Sequence, residues 1–149
     1  MHGKENFCHT RLHLAKNNKR LQMKLFLIIG TVLAGLAVAL GAFGAHGLKK
    51  LVDAETVGVY QTGVQYQMYH ALALIALGIL AQRIENGWIN YAGFFFIGGI
   101  VFFSGSLYLL SSFKAMNKTV PSFVYPITPL GGILFILGWI FLLFALLKK

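Results

Sequence analysis

The sequence predicts an all-α membrane protein, with four transmembrane helices in a compact antiparallel bundle, and three observations carry that prediction. Of its 149 residues, 57% are apolar and only 11% charged, far from the balance of a soluble domain. The apolar residues gather in four blocks, Leu25 to Ala45, Met68 to Ala81, Tyr91 to Phe113 and Ile127 to Leu147, joined by short polar links. Three of these blocks are long enough, at about 1.5 Å per helical residue, to cross a hydrocarbon core of about 30 Å. The formal charge of +9 sits in tails and links beside the blocks, with no aromatic-interleaved basic surface. A lipid bilayer is therefore the expected anionic neighbour, and nucleic acid is not. Cys8 is the only cysteine, which excludes an intrachain disulfide.

Residues 1–22 are polar and basic, unlike everything after them, and are expected to form a disordered or weakly helical tail. Met23-Lys24 followed at once by an apolar run looks like a natural start, so an upstream mis-start is one reading of that tail. Cys8, His9 and His13 lack the fourth ligand and the folded context that a metal site needs. Residues 23–149 form the four-helix transmembrane domain, with spans at about 25–45, 60–82, 91–113 and 127–147. The first apolar run exceeds the usual signal-peptide core of about 7 to 15 residues, so it is read as a retained span.

Wound at 3.6 residues per turn, the first span places Gly30, Ala34, Ala37, Gly41, Gly44 and Ala45 on one stripe. Gly35, Ala39, Ala42 and His46 form a second small-residue face, and Ile29, Leu33, Leu36, Leu40 and Phe43 fill the remaining arc, toward lipid. Small residues let membrane helices approach closely, so two small faces predict two close neighbours. Gly47 is placed to end the helix in the left-handed conformation.

The second block is too short to cross unless the polar stretch before it enters the membrane. A span from Tyr60 to Gln82 carries Gln65, Tyr66, Gln67 and His70 into the bilayer, with Gly63, Tyr66, Gln67 and His70 on one face that other helices should cover. Tyr60, Tyr66 and Tyr69 also suit an interfacial belt. In the third span Gly98 and Gly105, and in the fourth Gly131 and Gly138, recur at heptad spacing as packing positions. Ser104 and Ser106 are each expected to bond a carbonyl of their own helix. Pro126 and Pro129 stand at the start of the fourth span, where a missing donor costs little, and Trp88 and Tyr91 bracket the second link as interface anchors.

An antiparallel path puts His46, the start of span two through His70, Ser104, Ser106 and Thr128 toward one leaflet. The side holding both termini has nine Lys and Arg against four, or four against four without residues 1–22, so the termini are expected to face the cytoplasm. "LGAFGAHGL", "TGVQYQMYHALAL", "FSGSLYLL" and "TPLGG", in this order, resemble the YgdD family of small four-span membrane proteins of unknown function. The resemblance runs from about Met23 to the C terminus and implies a multi-pass protein of the bacterial plasma membrane, with no activity attached.

The only acidic residues are Glu5, Asp53, Glu55 and Glu85, none inside an apolar block, so no acid, base and nucleophile set is legible and no enzyme or cofactor is expected. The leading reading is a non-enzymatic protein that works through helix contacts with a membrane partner or a homo-oligomer. A proton or small-solute conduit using the polar residues around His70 is the alternative, since histidine titrates near neutrality. A cofactor site on His46 and His70 is a third. The plainer expectation for His70 is a bond to a Tyr, a Ser or a backbone carbonyl of the next helix.

Overall fold

A computed structural model describes residues 2–84 and 86–148, and of residues 2–16 and Asn18 the backbone alone. Its elements are α1 (His2–His46), α2 (Ala54–Leu80), α3 (Trp88–Gly99), a π-helical turn (Ile100–Ser104), α4 (Gly105–Ala115) and α5 (Val124–Leu147). α3, the π turn and α4 form one continuous span, so the described residues hold four helices long and apolar enough to cross a membrane. The backbone of residues 2–22 is helical and continuous with the first span, and no Gly or Pro interrupts the sequence between Lys4 and Ile29. The side chains of Cys8, His9 and His13 lie outside the described residues.

α1 and α2 run antiparallel in close register. A Cβ on Gly78 would sit 2.7 Å from the Leu27 side chain, one on Gly30 2.8 Å from the Ala71 carbonyl oxygen, one on Gly41 3.4 Å from Val64, and one on Gly44 2.9 Å from the Tyr60 ring. Gly30, Ala37 and Gly44 are buried, with Ala34 and Gly41 half-buried between them. The contact is wider than one stripe, because Phe26 fills the space over Gly93 of α3 while Ile29 and Leu33 pack against the same core. That core centres on Leu74, Leu77, Phe96 and Phe135.

Several expectations need correction. The second face of α1 has no neighbour among the described residues: Gly35, Ala39, Ala42 and His46 are exposed, and nothing lies within 4 Å of a Cβ on Gly35. Gly47 is right-handed, at φ −87°, and leads into a 3-10 turn (Leu48–Lys50); its lack of a side chain instead makes room for the Phe43 ring. α2 starts six residues earlier than expected because Asp53 caps it, its Oδ1 accepting from the Thr56 N–H at 2.7 Å. Gly98 and Gly105 do not share a packing face, since a π turn inserts one residue and rotates the remainder of the span by about 100°. Gly98 only touches Leu134, Gly105 faces open space, and neighbouring Gly99 is the one pressed against Phe135. On α5, Gly131 and Gly138 are both buried, Gly131 directly against the backbone of Phe103.

The links respect the antiparallel path. Asn86, in the second link, donates to the carbonyls of Ala145 and Lys148, both at 2.9 Å, and so ties that link to the end of α5. On the other side, the residues before α2 and after α4 line one cleft.

Candidate functional site

Gln67 is the central residue of the 27-residue helix α2, which puts it at mid-depth. It is 2% exposed, and its amide holds three helices together. Nε2 donates to the Leu33 carbonyl of α1 at 2.9 Å, and Oε1 accepts from the Tyr108 hydroxyl of α4 at 2.9 Å. Gly63, one turn earlier, makes this reach feasible: a Cβ there would stand 3.1 Å from the Tyr108 ring. Tyr108 also packs on Tyr60, with ring centroids 4.9 Å apart.

His70 lies one turn beyond Gln67 and uses both ring nitrogens. Nδ1 is 2.8 Å from the Tyr66 carbonyl, which can only accept, so Nδ1 carries the proton. Nε2 then offers its lone pair to the Trp139 indole N–H at 3.2 Å. The imidazole stacks on Phe135 with centroids 3.5 Å apart and planes at 11°, and Phe96 stands 5.3 Å away. A second proton at Nε2 would face another donor, so this arrangement satisfies the neutral ring. The same bond explains Trp139, the sixteenth residue of the 24-residue helix α5 and 49% exposed. An indole there lies away from the interface that Trp prefers, and its N–H would be unsatisfied in lipid without His70.

A second pair joins the third and fourth spans. Ser106 Oγ donates to the Phe103 carbonyl at 2.8 Å and meets Thr128 Oγ1 at 2.7 Å, so Thr128 supplies the proton between them. Ser106 thus bonds its own helix, as the sequence suggests. Ser104 does not: it is fully buried in the π turn with no partner for Oγ, in a stretch where the regular i−4 carbonyl geometry is lost.

Of the predicted cluster, the structure brings together Gln67 and His70 on adjacent turns, and Ser106 with Thr128. Tyr66 contributes its carbonyl to His70 and its ring to Phe103, at 4.7 Å, while Gln65 is exposed and joins neither group. Gln67, at mid-helix, and His70, deeper still along α2, depart from the expected placement toward one leaflet, whereas His46, Ser106 and Thr128 lie toward the side of the first and third links. His46 is exposed at the end of α1, level with the first turns of α2. It stands more than three helical turns from His70, roughly 18 Å, so the two histidines do not form a cofactor site. Among the described residues, no three His, Cys, Asp or Glu side chains group as a metal ion would require.

Sequence reasoning missed Trp139, and took Tyr108 only as part of "FSGSLYLL". The signal for Trp139 was its depth: a Trp in the middle of a span needs a buried acceptor. The Leu33 carbonyl carried no signal, because any residue supplies one.

Most of this chain is matched in other proteins. Residues 40–132 fit a family described as "Protein of unknown function (DUF423)". The UPF0382 membrane protein YwdK of Bacillus subtilis (strain 168) is 47% identical over 127 residues, 85% of this chain and 98% of that protein. A UPF0382 membrane protein of Staphylococcus saprophyticus is 44% identical over 128 residues, again 85% of this chain and 99% of the relative. The chain belongs to the DUF423/UPF0382 membrane protein family. It is thus a multi-pass membrane protein of a family with no assigned activity, and these relatives carry no enzymatic name. No solved structure matches it.

Within this UPF0382 chain, the polar side chains of α2 make contacts that join helices. Gln67 ends on the Leu33 carbonyl and His70 on the Tyr66 carbonyl, and a carbonyl cannot hand a proton onward. The two groups hold α1, α2, α4 and α5 in register.

Proposed function

We propose that this protein acts through helix–helix contact and not through bond chemistry, with a second copy of the chain seated on the outward face of α1. One observation carries the reading: Thr31, Gly35, Ala39 and Ala42 lie exposed on the face opposite the α2 contact, with open space at Gly35. Small side chains give lipid little to pack on, whereas they let another backbone come close enough for dispersion contacts to hold it. Thr31 already donates to the Leu27 carbonyl at 2.8 Å, so the face presents no unsatisfied hydroxyl. The stripe is self-complementary, as a two-fold pair of identical chains requires. A conduit through His70 has less support, because both ring nitrogens are engaged within the bundle.

We further propose residence in a bacterial plasma membrane with cytoplasmic termini, from the charge tally, and kinship with the YgdD group, from the four ordered motifs. A reporter fused after Lys149 should be active only on the cytoplasmic side; activity only outside would reverse the orientation.

Disulfide trapping in native membranes tests the contact. In a Cys8→Ser background, Ala39→Cys should give a band of twice the chain mass on oxidation, while Ile133→Cys on the exposed side of α5 should not. Equal trapping at both positions, or none at Ala39→Cys, would overturn the proposal. A discrete band of another mass would overturn it too, by identifying a different membrane protein as the occupant.

A further inference from the structure

The residues before α2 and those after α4 enclose a cleft of about 390 Å³ lined by Leu51, Val52, Asp53, Lys114, Asn117 and Lys118. It lies where two spans end, at the depth of lipid headgroups. The backbone is built to hold the lysines there. α4 closes with Asn117 in the left-handed conformation, φ 54°, the Asn117 N–H bonding the Lys114 carbonyl at 3.0 Å and the Lys118 N–H bonding the Phe113 carbonyl at 3.0 Å. This paired helix end fixes the turn, so Lys114 and Lys118 line the same cleft from either side of Asn117.

The third charged group in the cleft, Asp53, accepts from the Thr56 N–H through Oδ1 and feels the Lys114 charge, so two lysines against one carboxylate leave the cleft a single net positive charge. Beside the lysines, Leu51 and Val52 also line the cleft, and Leu51 is 61% exposed, giving an apolar edge to a polar cleft. Two ammonium groups for an anion and an adjoining apolar edge for a chain together match an amphipathic phosphate.

We infer that this cleft binds the phosphate of a lipid headgroup, with Lys114 and Lys118 as its cationic partners and Asn117 as the residue that positions them. The recognised chemistry is a phosphate, and a lipid diester and free phosphate are its two sources. This site is separate from the α1 face and does not depend on the assembly proposed there.

The test uses the full chain in neutral detergent, melted with added phosphatidylglycerol, phosphatidylcholine or inorganic phosphate. Phosphatidylglycerol should raise the melting midpoint by several degrees, and phosphatidylcholine much less. The rise should vanish in Lys114→Gln/Lys118→Gln, persist in Lys114→Arg/Lys118→Arg, and persist in Lys49→Gln/Lys50→Gln, which removes equal charge from the same side outside the cleft. If inorganic phosphate alone gives the full, lysine-dependent rise, the phosphate chemistry stands and its source is the free ion. An absent rise in the wild type, or equal loss in both Gln pairs, would overturn the site.

Discussion

The two faces of α1 have nearly the same composition and opposite surroundings. Toward α2, Gly30, Ala37 and Gly44 are buried, and a Cβ on Gly30 would stand 2.8 Å from a backbone oxygen. On the other side, Gly35, Ala39 and Ala42 are exposed, and a Cβ on Gly35 meets nothing. As a whole, α1 is the least enclosed span: 17% of its most apolar stretch is buried, against 44% for α2. A small-residue stripe in a membrane helix therefore states that something packs closely, and not whether that something lies in the same chain.

The largest effect should come from filling the inward face. Gly30→Leu places side-chain atoms where the Ala71 carbonyl oxygen, the Ile75 nitrogen and the Ile75 Cγ1 stand, and the two backbone atoms cannot yield without shifting α2. Its cost should reach or exceed the upper part of the range of about 1 to 3 kcal/mol for overpacking, read as a lowered melting temperature in detergent. Gly41→Ala on the same stripe should be nearly silent, since its Cβ meets Val64 at an ordinary 3.4 Å. Equal melting of these two variants would show that the register between α1 and α2 is wrong.

Next in size is Gln67→Leu, which removes the amide joining Leu33, Tyr108 and α2. Interhelical hydrogen bonds in membranes contribute roughly 0.6 kcal/mol each, up to about 1.7, so a loss of about 1 to 2 kcal/mol is expected. Adding Tyr108→Phe should cost little more, because the two side chains share one bond. Fully additive losses in the double variant would mean that the bond does not form.

The smallest effect lies in the link between the two helices. The Thr56 backbone N–H, donating to Oδ1, is the main cause that holds the Asp53 carboxyl below its usual value. A folded-state pKa lowered in this way adds stability above the unfolded value, near 3.9, and that contribution fades as pH falls through the folded value. Asp53→Asn keeps a capping oxygen and should melt slightly earlier than the wild type at pH 7, with the difference closing as pH falls through the folded-state value. A constant difference between the two at every pH would contradict the assignment.

The inward face was legible in the sequence because glycine and alanine recurred at helical spacing from Gly30 to Gly44. The π turn was not, since nothing in "GGIVFFSGS" distinguishes an inserted residue from a regular turn, and every phase assigned beyond it shifted; Gly105 went with it. The face of α2 that holds Gly63, Gln67 and His70 could be seen as one that must be covered, because polar groups in lipid need partners. Which helix would cover it could not, because Trp139 and the Leu33 carbonyl arrive from distant spans.

Counting chains per complex tests the assembly on α1 most directly. The wild type, carrying one fluorophore per chain in sparsely loaded native-lipid vesicles, should bleach in two steps; Gly35→Leu should bleach in one while keeping the wild-type melting temperature. Single-step bleaching of the wild type, or two-step bleaching that Gly35→Leu leaves unchanged, would contradict it.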